Sequence, residues 1–225
     1  TKIVCGYPWF KLKKEKIPKN YVKCFGIFNG LNFLLKKVNF YNNTSLVDKL
    51  VILNKKNIDR LTLKYIDQAN VLLALSGTGL NSGKEIIRNG KIYICERSSS
   101  HILFQQKILA EEYKELNQPP FIINKWSVDR ELQEYEESNI ILVPSLFVKK
   151  SFEKYYTKKV HVINFGVNLK NFFPMNTIKK DDKFFDILFI GELSIRKGLH
   201  YLINAFHQFK HPNKRLHIVG SIARD

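Results

Sequence analysis

From residue 61 to residue 220 the chain repeats one pattern: a short apolar run, a turn, then a stretch with apolar positions on a single helical face. "VLLAL" (71–75) predicts a buried strand, and "KIYICE" (91–96), "NIILVPS" (139–145) and "KVHVINFG" (159–166) predict three more. Amphipathic stretches predict helices around 61–70, 81–89, 104–116, 129–138 and 146–156, with Pro119-Pro120 closing the third. The alternation resumes with a strand over 186–190, a helix over 197–209 and a strand over 215–220. Strands separated by helices pair in parallel, with helices covering both faces of the sheet, so the fold class is α/β.

The regularity fails in two places. Residues 1–28 hold no sustained period and read as loop and short elements, followed by a basic amphipathic helix over 29–40 with Leu31, Phe33, Leu34, Leu35 and Val38 along one face. Residues 167–185, with Pro174 and mixed charge, read as a linker. The linker divides the chain into a first domain over 1–166 and the start of a second over 186–225. Two strands and one helix are too little to close a sheet of ordinary size, so the second domain is expected to be cut short. The first is expected to lack its opening strand.

An apolar content of 44% places the chain among folded proteins, and no apolar run approaches the roughly 20 residues that span a bilayer. Cys5, Cys24 and Cys95 have neither the spacing of a zinc site nor the density of a disulfide scaffold, which predicts reduced thiols in a cytoplasmic protein. A formal net charge of +17, with the basic excess in residues 1–66 and 141–225, favours phosphates, anionic lipid or nucleic acid as partners. Charge alone leaves open a basic nucleic-acid or anionic-membrane-surface binding module without catalysis, using Tyr7, Trp9 and Phe10 beside the lysines.

Ligands of open parallel sheets bind beyond the carboxyl ends of the strands, which draws notice to the turns. In "GELSIRKG" (191–198), Gly191 allows close backbone approach, a helix start offers free N–H groups, and Arg196 and Lys197 add two full charges, a combination suited to a diphosphate. The Gly-Lys-Ser/Thr ending of a P-loop is missing. In "ERSSSH" (96–101), His101 could exchange a proton near neutral pH and Arg97 could bind an anionic acceptor, while the serines serve equally well as helix caps. "SGTG" (76–79) forms a further turn. The carboxylates Glu131, Glu134 and Glu137 of the acidic helix are expected to be solvated.

Three segments in order, "EYEESNIILVPSLFVKKSF", "KVHVINFGVNLKNFFP" and "DILFIGELSIRKGLHYLINAF", resemble the family-four retaining glycosyltransferases of the GT-B type. The resemblance spans roughly residues 61–220 and is strongest after 130. It implies two Rossmann-like domains, the N-terminal one (1–166) nearly complete and acceptor-binding, the C-terminal one (186–225) nucleotide-sugar-binding and truncated after its first βαβ unit. It further implies transfer of a hexose to an acceptor hydroxyl with retention of configuration, in cell-surface polysaccharide or glycolipid synthesis.

Residue by residue, the resemblance puts Gly191, Arg196 and Lys197 on the donor diphosphate, with Glu192 standing where the family often has arginine. His101 matches a catalytic cleft histidine, and Ser76, Gly77, Arg97 and Ser98 match acceptor-cleft loops. Gly166, Val167, Phe172 and Pro174 match the hinge, with Asn168 in place of the usual Asp. The implied partners are a nucleotide-sugar donor and a glycan or lipid-linked acceptor, with peripheral contact to anionic membrane as a compatible addition. No metal, no further cofactor and no nucleic acid are implied. The missing glycine-rich first loop and Glu-x7-Glu region mark the chain as a fragment, expected to be inactive alone.

Overall fold

In a computed structural model, residues 1–12, 17–24, 44–155, 160–174 and 183–222 are described. The expected helix over 29–40 lies outside them, as do residues 175–182 of the expected linker. The strands are β1 (Ile3–Cys5), β2 (Val22–Cys24), β3 (Val71–Leu75), β4 (Ile92–Glu96), β5 (Ile140–Val143), β6 (Val160–Val162), β7 (Phe185–Ile190) and β8 (Lys214–Val219). The helices are α1 (Trp9–Leu12), α2 (Thr44–Leu63), α3 (Leu80–Arg88), α4 (Ile102–Glu115), α5 (Lys125–Glu137), α6 (Leu146–Glu153) and α7 (Leu199–Gln208). Every strand pair is parallel, as the alternation of apolar runs and amphipathic stretches predicts.

The chain divides into two units, one of Thr1–Gln106 with Ile122–Phe165, the other of Lys107–Phe121 with Gly166–Asp225. In the first unit β3-β4-β5-β6 form a four-stranded sheet in sequential order, and β1 and β2 pair separately. In the second, β7 and β8 pair along six residues each and α7 connects them. Also within the second unit, Glu112 accepts from the Tyr201 hydroxyl at 2.9 Å and pairs with His200 Nε2 at 2.8 Å.

A sheet whose strands follow one another in a single direction, joined by right-handed crossovers, receives its helices on one face. Ile86 of α3, Ile102 of α4, Tyr135 of α5 and Val148 and Phe152 of α6 accordingly share one core with Tyr93, Cys95, Ile141 and Val143 of the sheet. On the opposite face Val71, Leu73, Leu75 and Ile92 are all about half exposed, and Leu73 and Leu75 line a cavity together with Val4 and Cys5. This corrects the expectation of a buried strand at 71–75, whose alternate residues are exposed. Strand β3 is also the outer strand of its sheet, so it gains shelter from only one neighbour.

The helix before β3 differs as well. It runs from Thr44 to Leu63 and ends before a single 3-10 turn at Ile66–Gln68. Its apolar residues are spread around the axis, with Leu46, Val51 and Leu53 exposed, so no clean stripe marks it in the sequence. Among the described residues no helix is long and apolar enough to cross a membrane.

Candidate functional site

The turns that carry candidate chemistry lie in both units. In the first, Ser76-Gly77-Thr78-Gly79 follows β3, and its conformation is set by carboxylates from elsewhere in the chain. Glu134 of α5, fully buried, accepts the backbone N–H groups of Gly77 and, at 2.9 Å, of Gly79. Arg130, one helical turn earlier, lies 3.3 Å from Glu134, donates from Nε to the Gly77 carbonyl at 2.8 Å and from Nη2 to Asp59 at 2.5 Å. Asp59, also fully buried, accepts from the N–H groups of Asn81 and Ser82 at the start of α3 and from the Ser82 hydroxyl at 2.7 Å.

Burial pushes the Glu134 carboxyl up to about 7, even though the two glycine N–H groups and Arg130 pull the other way. Glu131 is buried too, accepting from Tyr135 at 2.9 Å and from Arg97 at 2.7 Å. Two of the three carboxylates expected in solvent therefore lie inside, because arginines and loop amides on neighbouring elements satisfy them. Glu137 remains near the surface, 3.4 Å from Lys84.

Arg97 at the end of β4 is the hub of the next turn. It donates to the Ser100 carbonyl at 3.1 Å, to Ser76 Oγ at 3.3 Å and to Gln105 Oε1 at 3.0 Å, in addition to its pairing with Glu131. Its guanidinium is thus engaged internally and draws the two loops together, while Ser98 stays exposed.

His101 is 1% exposed. Its ring stacks on Tyr155 at 4.7 Å and meets Phe152 edge-on at 4.9 Å. Nδ1 accepts the Leu103 N–H at 3.3 Å, capping α4, which assigns the proton to Nε2. That Nε2 is buried without a hydrogen-bond partner among the described residues. Burial first, and the charge of Arg97 second, lower the imidazole to about 4, so the ring is neutral at physiological pH.

In the second unit the segment Gly191–Gly198 leaves β7, makes a 3-10 turn over Ile195–Lys197 and enters α7. The N–H of Gly191 donates to the Val219 carbonyl at 3.0 Å and that of Leu193 to the Ser221 carbonyl at 2.8 Å, so these two amides are committed to the strand beside them. Gly198 precedes the helix at φ 69, in the left-handed region that glycine enters without strain, and no side chain caps the first turn of α7. Arg196 and Lys197 are exposed directly before that turn. Ser194, 8% exposed, has a hydroxyl oxygen buried without a partner among the described residues.

An uncapped helix start of ten residues, preceded by two exposed cations, is an arrangement that favours an anion. Residues 172–225 match the family model of glycosyl transferases group 1. The matched segment contains the whole of β7, the Gly191–Gly198 turn, α7 and β8. No curated protein and no solved structure gives a significant match. Among the described residues no group of three His, Cys, Asp or Glu side chains is placed to hold a metal ion.

The buried network of Asp59, Arg130 and Glu134 is what sequence reasoning missed. The spacing of Arg130 and Glu134, four apart and followed by an apolar strand, is ordinary for a solvated helix face. Nothing in it signals that glycine amides more than fifty residues away await a carboxylate.

Proposed function

We propose that the protein is a glycosyltransferase that uses a nucleotide-sugar, and that the Gly191–Gly198 turn holds the donor diphosphate. The carrying observation is that this turn, with its exposed Arg196 and Lys197 and its uncapped helix start, falls inside the segment similar to glycosyl transferases group 1. In the reaction, the bond between the sugar and the diphosphate breaks as an acceptor hydroxyl attacks, and negative charge grows on the departing diphosphate. Arg196 and Lys197 stabilise that charge, and the α7 amides add to it. Gly191 serves by lacking a side chain, since its own N–H is used by Val219.

The finer parts of the reading are a hexose as the transferred group, retention of configuration, and a glycan or lipid-linked acceptor in cell-surface polysaccharide or glycolipid synthesis at the cytoplasmic membrane face. In the first unit, Ser76, Gly77, Arg97 and Ser98 frame the acceptor, with Ser98 as the exposed donor and Arg97 as the residue that holds the two loops in register. His101, buried and neutral, is assigned to holding the start of α4 and the loop before it; its unpartnered Nε2–H leaves one donor beside that loop.

Isothermal titration of the full chain with UDP-glucose and GDP-mannose tests the reading. Binding of either, weakened roughly tenfold or more in Arg196→Ala/Lys197→Ala, is expected, since hydrogen bonds to charged groups contribute about 1.5–3 kcal/mol each. Affinity unchanged by the double substitution would overturn the assignment. The basic character of residues 1–66 supports a rival reading as a nucleic-acid binder, whose affinity for a single-stranded RNA would fall steeply with salt and ignore both nucleotide-sugars.

A further inference from the structure

Strands β1 and β2 are short, parallel and in register at Ile3 with Val22, Val4 with Lys23 and Cys5 with Cys24. The last of these pairs sets two thiols side by side, with Sγ atoms 3.9 Å apart. Adjacent strands run about 4.8 Å apart, within the Cα separation of about 4.4–6.8 Å that a disulfide bridges. The two thiols differ in access. Cys24 is exposed, whereas Cys5 is half-buried and donates to the Tyr7 carbonyl at 3.5 Å. The third cysteine, Cys95, lies fully buried in β4.

We infer that Cys5 and Cys24 are a redox pair, oxidised by a low-molecular-weight disulfide to a bond that ties β1 to β2. The exposed Cys24 thiol loses its proton to solvent and its thiolate attacks one sulfur of the oxidant, releasing the other half as a thiolate. Cys5, once deprotonated, attacks the Cys24 sulfur of this mixed disulfide and expels the second half. Two electrons pass from the cysteines to the oxidant, one sulfur–sulfur bond forms as one breaks, and two equivalents of small thiol leave. The link has a local consequence. Val4 and Cys5 line a cavity of about 390 Å³ together with Ile58, Leu72 and Thr78, so the bond ties part of that lining to β2.

The test is incubation of the folded full chain with oxidised glutathione at mildly alkaline pH, followed by acid quench, thiol counting in denaturant and peptide mass mapping. The expected result is a fall from three free thiols to one, a peptide pair joined through Cys5 and Cys24, and Cys95 still reduced. In Cys5→Ser the expected product is Cys24 carrying a single glutathione, which dithiothreitol removes. Separate glutathiones on Cys5 and Cys24 of the wild-type chain, both thiols left free, or a bond that includes Cys95 would each overturn the inference. The wild-type map decides without the variant, so a folding defect in Cys5→Ser leaves the outcome clear.

Discussion

Arg130 donates to Asp59 at 2.5 Å across 71 positions of sequence, and neither side chain is more than 7% exposed. The same guanidinium holds Glu134 and the Gly77 carbonyl, so one side chain joins α2, α5 and the turn after β3. Arg130→Ala leaves the buried carboxylates of Asp59 and Glu134 without the cation they share. Breaking a buried pair in this way costs about 3–5 kcal/mol, and urea unfolding followed by circular dichroism should show a loss of that order. A loss within the range of an exposed substitution would mean that water reaches the cluster.

The pH dependence of stability carries two opposed contributions. Glu134 is raised from 4.5 to about 7, so the folded chain holds that proton more tightly than the unfolded chain does. Its contribution is complete below pH 4.5 and is lost as the pH rises to about 7, amounting to roughly 3 kcal/mol. Glu134→Gln should flatten this decline in a series of urea midpoints, whatever it does to absolute stability.

His101 works in the other direction. Lowered from 6.5 to about 4, it favours the folded chain above pH 6.5, and that stabilisation, again roughly 3 kcal/mol, disappears as the pH falls to about 4. Asn retains a cap for α4 and does not titrate, so His101→Asn should remove the acid-side loss. An unaltered acid limb would place the titrating group elsewhere.

A Cβ built on Gly220 would stand 1.7 Å from the Gly191 carbonyl oxygen, a distance no backbone tolerates. Gly220→Ala must therefore push β8 away from the start of the Gly191–Gly198 turn. The expected outcome is weaker nucleotide-sugar binding by titration calorimetry, together with a lower melting temperature. Binding equal to the wild type would show that the turn is insensitive to its distance from β8.

Gly83 meets a side chain instead of backbone. A Cβ there would lie 2.4 Å from the ring of Tyr93, which is fully buried and hemmed by the core. Overpacking of this kind costs about 1–3 kcal/mol, so Gly83→Ala should lower the urea midpoint, and Gly83→Ala combined with Tyr93→Leu should restore part of it.

The elements were legible where one physical signal dominated. Runs such as "VLLAL" and "IILV" with turns at both ends mark strands, and β3 to β8 lie within a few residues of where the apolar runs put them. Helix α2 escaped notice because its apolar residues do not form a stripe, and β1 and β2 because three-residue strands leave no period to read. For the candidate sites, the Gly191–Gly198 turn announces itself through local chemistry, two cations beside a helix start. The Asp59–Arg130–Glu134 network does not, since burial depends on which distant backbone groups arrive beside a charge. The neighbouring thiols are of the same kind: Cys5 and Cys24 are 19 residues apart, and only the register of two strands makes them adjacent.

The half-exposed row of Val71, Leu73, Leu75 and Ile92 gives the +17 net charge a colloidal role. Two such molecules approaching sheet to sheet would gain by shedding water from aliphatic surface, and mutual repulsion between like-charged chains opposes that approach. Repulsion fades when dissolved ions shorten its reach to about 8 Å, the screening length at physiological ionic strength. Added salt is therefore expected to favour self-association, which light scattering across an ionic-strength series would check.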